Sequence, residues 1–434
     1  MSRSFPDVAR SVLIAGGIMI MNVTTYGLTL LAARSLGPAE FGTFSAVLGA
    51  LIILNVLSLG LQSAGARRIA RGPDNQTSST VQIQALTVRA AIIVLAAGVV
   101  LAPALARLMD LGSVMTAIAL AVSASLLTLM GGFSGILQGE ERWLQLSLVY
   151  TAMGTARLGI GLVALAISPT ALSLCIGVAV AAAVPAATAY FFANRPGPAG
   201  ARIPVSADPD AQVDAPEDIR LWHEVVHNSH VLLAFFMLSN IDVVVARQLV
   251  PHHEAGLYAA GLVLTKGVLF LPQFVVVVAF PAMARHTSGK MTHVAGLGLV
   301  ALIGLTTIAG VLLLPNVALQ FVGGAAYEEV KASLPIFAVV GTVLAMVQLL
   351  IYGAIAGRHA RAVWLVWLAV GVFIGSALSV HNAQQMVSLK LTCDTALLVV
   401  LAAYVMTRSD KVTVQTYEPA LVEDLTSPEQ PPVR

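Results

Sequence analysis

Charge is what this sequence has least of. Of its 434 residues only 11% are Asp, Glu, Lys or Arg, while 57% are hydrophobic and the mean hydropathy is +0.86. A soluble domain of this length needs a far more polar surface, so the composition is that of a polytopic membrane protein. Cysteine is nearly absent as well. Cys175 and Cys393 both fall inside apolar runs, which excludes a disulfide framework and a CxxC site. The net charge of +2, with no basic run or RNA-binding motif, gives no reason to expect a nucleic acid partner. No Walker A sequence occurs, so any transport is not powered by ATP bound to this chain. A cleaved signal is not expected either: the apolar run after Arg3 and Arg10, about 11–33, is too long for one and suits a spanning helix.

Apolar windows of about twenty residues predict about twelve spans. The first six run roughly 11–33, 42–66, 86–106, 113–137, 144–167 and 170–193, and the second six roughly 225–249, 256–283, 294–314, 332–356, 362–380 and 387–406. The expected organisation is an N-terminal six-helix bundle (1–193), a cytoplasmic linker (194–224), a C-terminal six-helix bundle (225–406) and a disordered cytoplasmic tail (407–434). Lys and Arg gather on alternate turns. With the N-terminus inside, Arg34, Arg107, Arg247 and Lys331 are the only basic residues in the outside turns, so the positive-inside rule places both termini in the cytoplasm. A multi-pass protein of the inner (plasma) membrane is expected. The outside turns are all too short to fold as a receptor or catalytic domain.

A short pattern occurs twice. Ala33-Arg34-Ser35-Leu36-Gly37-Pro38 followed by Gly42-Thr43-Phe44-Ser45-Ala46 matches Ala246-Arg247-Gln248-Leu249-Val250-Pro251 followed by Gly256-Leu257-Tyr258-Ala259-Ala260, with one residue inserted between Pro and Gly. The copies follow the first and seventh spans, so six spans separate them and both halves insert the same way up. The fold class expected is therefore an all-α polytopic membrane protein of about twelve transmembrane helices, arranged as two parallel six-helix repeats around a central cavity.

Ionisable groups inside spans carry the functional signal, since each central charge costs about 2.5–3.5 kcal/mol on insertion scales. Lys390 and Asp394, four apart, are expected to neutralise one another. Arg157 and Lys266 have no carboxylate three or four residues away, which points to a cationic cavity for an anionic substrate. Arg34 and Arg247 read either as rim cations of that cavity or as lipid anchors, and Asn22 and Tyr26 lie on a polar stretch of the first span that suits a wet face or helix contacts. Asp242, in Asn240-Ile241-Asp242, is a candidate coupling site for a cation or proton, or a partner for a buried base. Pro272 in mid-span frees a backbone carbonyl and is a candidate hinge; Gly131-Gly132 also reads as a helix interruption.

One motif points to a different class. His223-Glu224-Val225-Val226-His227 fits the HExxH pattern of zinc proteases. A third ligand is needed. Glu254 lies 27 residues from His227, roughly 40 Å along a spanning helix and on the other membrane face. No metal, cofactor or catalytic residue is expected, and the chain reads as a transporter rather than an enzyme.

The sequence resembles the polysaccharide flippases, of O-antigen and lipid-linked oligosaccharide type, within the multidrug/oligosaccharidyl-lipid/polysaccharide exporter superfamily. The likeness rests on the 33–42 stretch, Leu59-Gly60-Leu61-Gln62, Asn240-Ile241-Asp242 with Gly256-Leu257-Tyr258, Phe280-Pro281, and Gly323-Gly324 with Tyr327. It implies a flippase moving a polyprenyl-(pyro)phosphate-linked oligosaccharide to the outer leaflet by alternating access, for cell-surface polysaccharide biosynthesis. The partners it implies are the lipid-linked glycan, membrane lipids and a glycan polymerase or glycosyltransferases. The rival reading in the same superfamily is a multidrug cation antiporter. The rivals outside that class are the membrane zinc protease and a scaffold that recruits glycan enzymes.

Overall fold

The protein is described from a computed structural model, whose backbone covers residues 5–70, 76–195, 217–283, 290–356 and 362–408 and whose side chains cover 13–70, 80–195, 230, 232–269, 294–351 and 362–404. Most of the expected linker and nearly all of the expected tail lie outside these residues. Among the described residues all regular structure is helical: α1 Phe5–Ala70, α2 Gln76–Leu108, α3 Val114–Gly139, α4 Trp143–Ile167, α5 Ala171–Ala193, α6 Glu217–Leu249, α7 His252–Met283, α8 Lys290–Leu313, α9 Pro315–Val322, a 3-10 segment Ala325–Ser333, α10 Leu334–Ala356, α11 Ala362–Ala377 and α12 Ala383–Arg408.

The first two expected spans form one helical run with a sharp break. Gly37 (φ 71°, ψ 169°) is the single non-helical residue between the two arms of α1. Only glycine takes that conformation without strain, and Pro38 directly after it suits the first position of the second arm, where a missing N–H costs nothing. Nine helices among the described residues are long and apolar enough to cross a membrane; α1 is counted once although each arm is long enough, and α11 is shorter, at 16 residues. Large apolar side chains such as Val100 (76% exposed), Ile167 (78%) and Leu313 (79%) face outward, a surface that requires lipid.

Helices α1–α5 pack as one bundle and α6–α12 as another, with α1 bridging the two by lying against α6 and α7 as well as α3 and α4. In the first bundle α3 runs unbroken through Gly131 and Gly132. These glycines are contacts rather than interruptions. Gly131, Gly135 and Gly139, spaced by four, receive Ser58, Gln62 and Ile69 of α1 at distances that leave no room for a β-carbon, and Ser58 Oγ donates to the Leu127 carbonyl at 2.6 Å. Without a hydrophobic drive between helices in lipid, such close backbone approach and buried hydroxyl bonds supply the cohesion.

Candidate functional site

The two repeat turns meet at one end of the molecule. Gly42 and Gly256, equivalent positions of the two copies, lie against each other: a β-carbon on Gly42 would touch the Gly256 backbone, and one on Gly256 would collide with the Pro38 carbonyl. On either side of this contact the repeat arginines reach across to the opposite bundle. Arg34 Nη2 donates to the Gln320 carbonyl at 2.8 Å, and Arg247 Nε donates to the Asp110 carbonyl at 3.0 Å. Gln320 lies in α9, just after the third helix of the second bundle (α8), and Asp110 just after the corresponding helix (α2) of the first. The two bonds are therefore symmetry mates. Tyr327 Oη adds a bond to the Ala33 carbonyl at 2.9 Å while its ring meets Phe41 edge-on, and the His252 ring pairs with the Asp110 carboxylate. Arg34 and Arg247 thus form a clasp between bundles, and neither lines the cavity described next.

The repeat also contains a pair of residues whose shared role sequence reading missed. Glu40 and Glu254 each lie two positions before the repeat glycine. Glu40 accepts from the Ala171 N–H at 2.6 Å, and Glu254 accepts from the Ala383 N–H at 2.9 Å. Each carboxylate thereby caps the final helix of its own bundle, α5 or α12, at the end where the helix dipole favours negative charge. The shared spacing was the available signal.

About midway along the helices, between the bundles, lies a cavity of about 150 Å³. Arg157 from α4 and Lys266 from α7 line it, and so do Asn22 and Tyr26 from the first arm of α1. The four residues come from three helices and both bundles. Lys266 is 14 residues into α7, about 21 Å from its start, which places it deep in the membrane. Tyr26 Oη makes a long bond, 3.4 Å, to the Val263 carbonyl across the interface. Thr25 and Thr29 from the first arm and Ser45 and Asn55 from the second complete the polar lining, and the Asn55 side-chain oxygen is buried without a hydrogen-bond partner. Sequence reading passed over Asn55 because it sits alone in an apolar run. Leu48, Ile52 and Leu262 make up much of the remaining wall, and no Asp or Glu lines it.

Asp242 is fully buried inside the second bundle, behind this wall. One carboxylate oxygen accepts from Tyr258 Oη at 2.7 Å and the other from the Val243 N–H at 3.0 Å. The expected Lys390–Asp394 pair forms, with the ammonium 2.9 and 2.8 Å from the two oxygens and a further bond of 2.7 Å to the Leu238 carbonyl. The side chains of Pro272, His223, Glu224 and His227 lie outside the described residues, although all four positions are helical, in α7 and α6. Glu254, the tempting third zinc ligand, is engaged in capping α12. Among the described residues no three His, Cys, Asp or Glu groups come together as a metal site.

No family model matches this chain, and no curated protein matches it. Solved structures do. An inward-facing conformation of a multidrug resistance MATE family transporter of the MOP superfamily is similar with a TM-score of 0.68 at 12% identity, over 92% of this chain and 98% of that one. The fold is that of the MATE transporters. An outward-facing conformation of a multidrug resistance MATE family transporter matches with a TM-score of 0.52 at 12% identity, over 93% and 97% of the two chains. MATE in a bent conformation matches with 0.54 at 14% identity, over 93% and 94%.

These likenesses confirm the all-α, two-bundle membrane architecture and overturn the polysaccharide flippase assignment. The lipid-linked oligosaccharide substrate, the glycan polymerase and glycosyltransferase partners and the role in polysaccharide biosynthesis fall with it. The residues behind that assignment explain the error. Gly37-Pro38 makes the break in α1, Gln62 packs on Gly135, Gly256 meets Gly42, and Tyr327 ties α1 to the opposite bundle. All of them make helix breaks and contacts between helices, and none of them lines the cavity. A cavity of about 150 Å³ is also small beside the ~300–1,000 Å³ of ordinary ligand pockets, and far from the size of a glycan.

Proposed function

We propose that the chain is a multidrug-type antiporter of an inner (plasma) membrane, exporting small amphipathic compounds by alternating access in exchange for a cation. The observation that carries this reading is the fold shared with multidrug resistance MATE transporters over 92% of the chain, with a polar cavity where the two bundles meet. The better fit to an inward-facing than to an outward-facing structure, 0.68 against 0.52, supports assigning the clasped end to the outside and the clasped state to the inward-facing one. The Lys and Arg asymmetry of the turns supports both termini being cytoplasmic.

Transport then consists of breaking the clasp and rocking one bundle against the other. In this reading Asp242 holds the coupling cation or proton: it is the one buried carboxylate among the described residues that has no basic partner within bonding distance. Tyr258 orients it and the Lys266 charge stands nearby, so loading Asp242 changes the field on the cavity wall. A conformational change follows only if cargo and ion each favour different states.

The test is drug efflux from an efflux-deficient bacterial host and from proteoliposomes under imposed H⁺ or Na⁺ gradients. Wild type is expected to lower drug accumulation and to dissipate the driving gradient when drug is added. Asp242→Asn is expected to abolish the gradient dependence while drug binding persists. Drug accumulation unchanged by expression, with no gradient dissipated by any compound, would overturn the assignment.

A further inference from the structure

We infer that the cargo of this cavity is a small amphipathic organic anion, a carboxylate, sulfonate or phosphate monoester, held by Arg157 and Lys266. The inference rests on the reading of the cavity as the transport site. Both cations line it, one from each bundle, and both are only partly buried. Neither has a hydrogen bond or ion pair among the described residues.

The surroundings leave them without a bonded counter-charge. The membrane-spanning stretches of α1–α5 contain no Asp or Glu at all, so nothing in its own bundle can pair with Arg157. In the second bundle Asp394 is bound to Lys390, and Asp242 is held by Tyr258 behind the wall, near Lys266 but not bonded to it. The wall therefore presents two positive charges in a low-dielectric space, where a cationic drug is repelled and an anion is drawn in. An arginine offers a planar fork to an oxyanion and a lysine a compact charge, so between them they can hold one anionic group from two sides. Leu48, Ile52 and Leu262 give an apolar body somewhere to lie. Because the two cations belong to opposite bundles, a bound anion also ties the bundles together in this state.

The test uses purified protein in proteoliposomes with salicylate as the anionic probe and tetraphenylphosphonium as the cationic one. Wild type is expected to bind and export salicylate and to ignore tetraphenylphosphonium. Arg157→Gln and Lys266→Gln should each weaken salicylate binding at least tenfold, while Arg157→Lys retains most of it. Monodisperse gel filtration separates lost binding from lost folding, and the charge-retaining variant provides the comparison if a Gln variant fails to fold. Export of tetraphenylphosphonium but not salicylate overturns the inference and leaves the antiporter reading standing. Salicylate binding undiminished in the Arg157→Gln, Lys266→Gln double variant also overturns it. Salicylate bound with the expected variant losses but never moved by any gradient upholds the anion site and overturns the antiporter.

Discussion

The two bundles share their joints and differ in their buried charges. Each has a turn glycine at the contact, an arginine reaching across and a glutamate capping its last helix. Inside, they differ. Each bundle places one cation on the cavity wall, Arg157 or Lys266, but the first has no carboxylate in its spans, whereas the second buries Asp242, Lys390 and Asp394, with Lys390 and Asp394 paired. In the proposed antiporter these unequal interiors keep the Asp242 carboxylate behind Tyr258, out of contact with what fills the cavity.

Removing one member of the buried pair strikes hardest. Asp394→Leu leaves Lys390 buried without its partner and is expected to cost about 3–5 kcal/mol, read as a fall in thermal unfolding temperature in detergent. Lys390→Met added to Asp394→Leu should recover most of that loss. A double variant as unstable as the single one would mean that the pair does more than neutralise itself.

The symmetry of the joints is tested next. Gly256→Val drives a side chain into the Pro38 carbonyl and is expected to cost about 1–3 kcal/mol of the clasped state. Spin labels on the turns at residues 39 and 253 should move apart in this variant. Unchanged distances would show that the bundles can close without the glycine contact.

The smallest effects separate the two arginines. Arg247 is buried at 5% exposure, so Arg247→Ala removes a charged donor from an enclosed carbonyl, about 1.5–3 kcal/mol. Arg34 is exposed, and Arg34→Ala is expected to cost about 0.5–1.5 kcal/mol. Labelling of a cysteine introduced at the clasped end should rise more in the first variant than in the second. Equal rises would restore full symmetry to the clasp.

Much of this architecture could be read from the sequence because lipid imposes long apolar runs, and because one turn pattern recurs in both halves. Arg157 and Lys266 were legible as cavity residues for the same reason: a charge that lipid penalises has few places to go. What Arg34 and Arg247 do was not legible. Their acceptors are backbone carbonyls 286 and 137 positions away, groups that every residue carries and no sequence pattern marks. The flippase resemblance misled on related grounds, since the residues that carried it are those that build joints. Asp242 could be picked out as a buried acid, but the hydroxyl that holds it, from Tyr258, is 16 positions on and lies on the next helix.

The two turns stand to one another as the two halves of an isologous contact do. A unit of six crossings starts and finishes on the same face of its membrane. Two such units facing each other across a two-fold axis would have closed through the same glycine contact and the same pair of arginines, each supplied by a sister molecule. Joining them end to end requires only a polar connector on that shared face, with no crossing to add and no unit to invert. Within one chain each half's interior can differ from the other's, which two identical subunits encoded by one gene can never do.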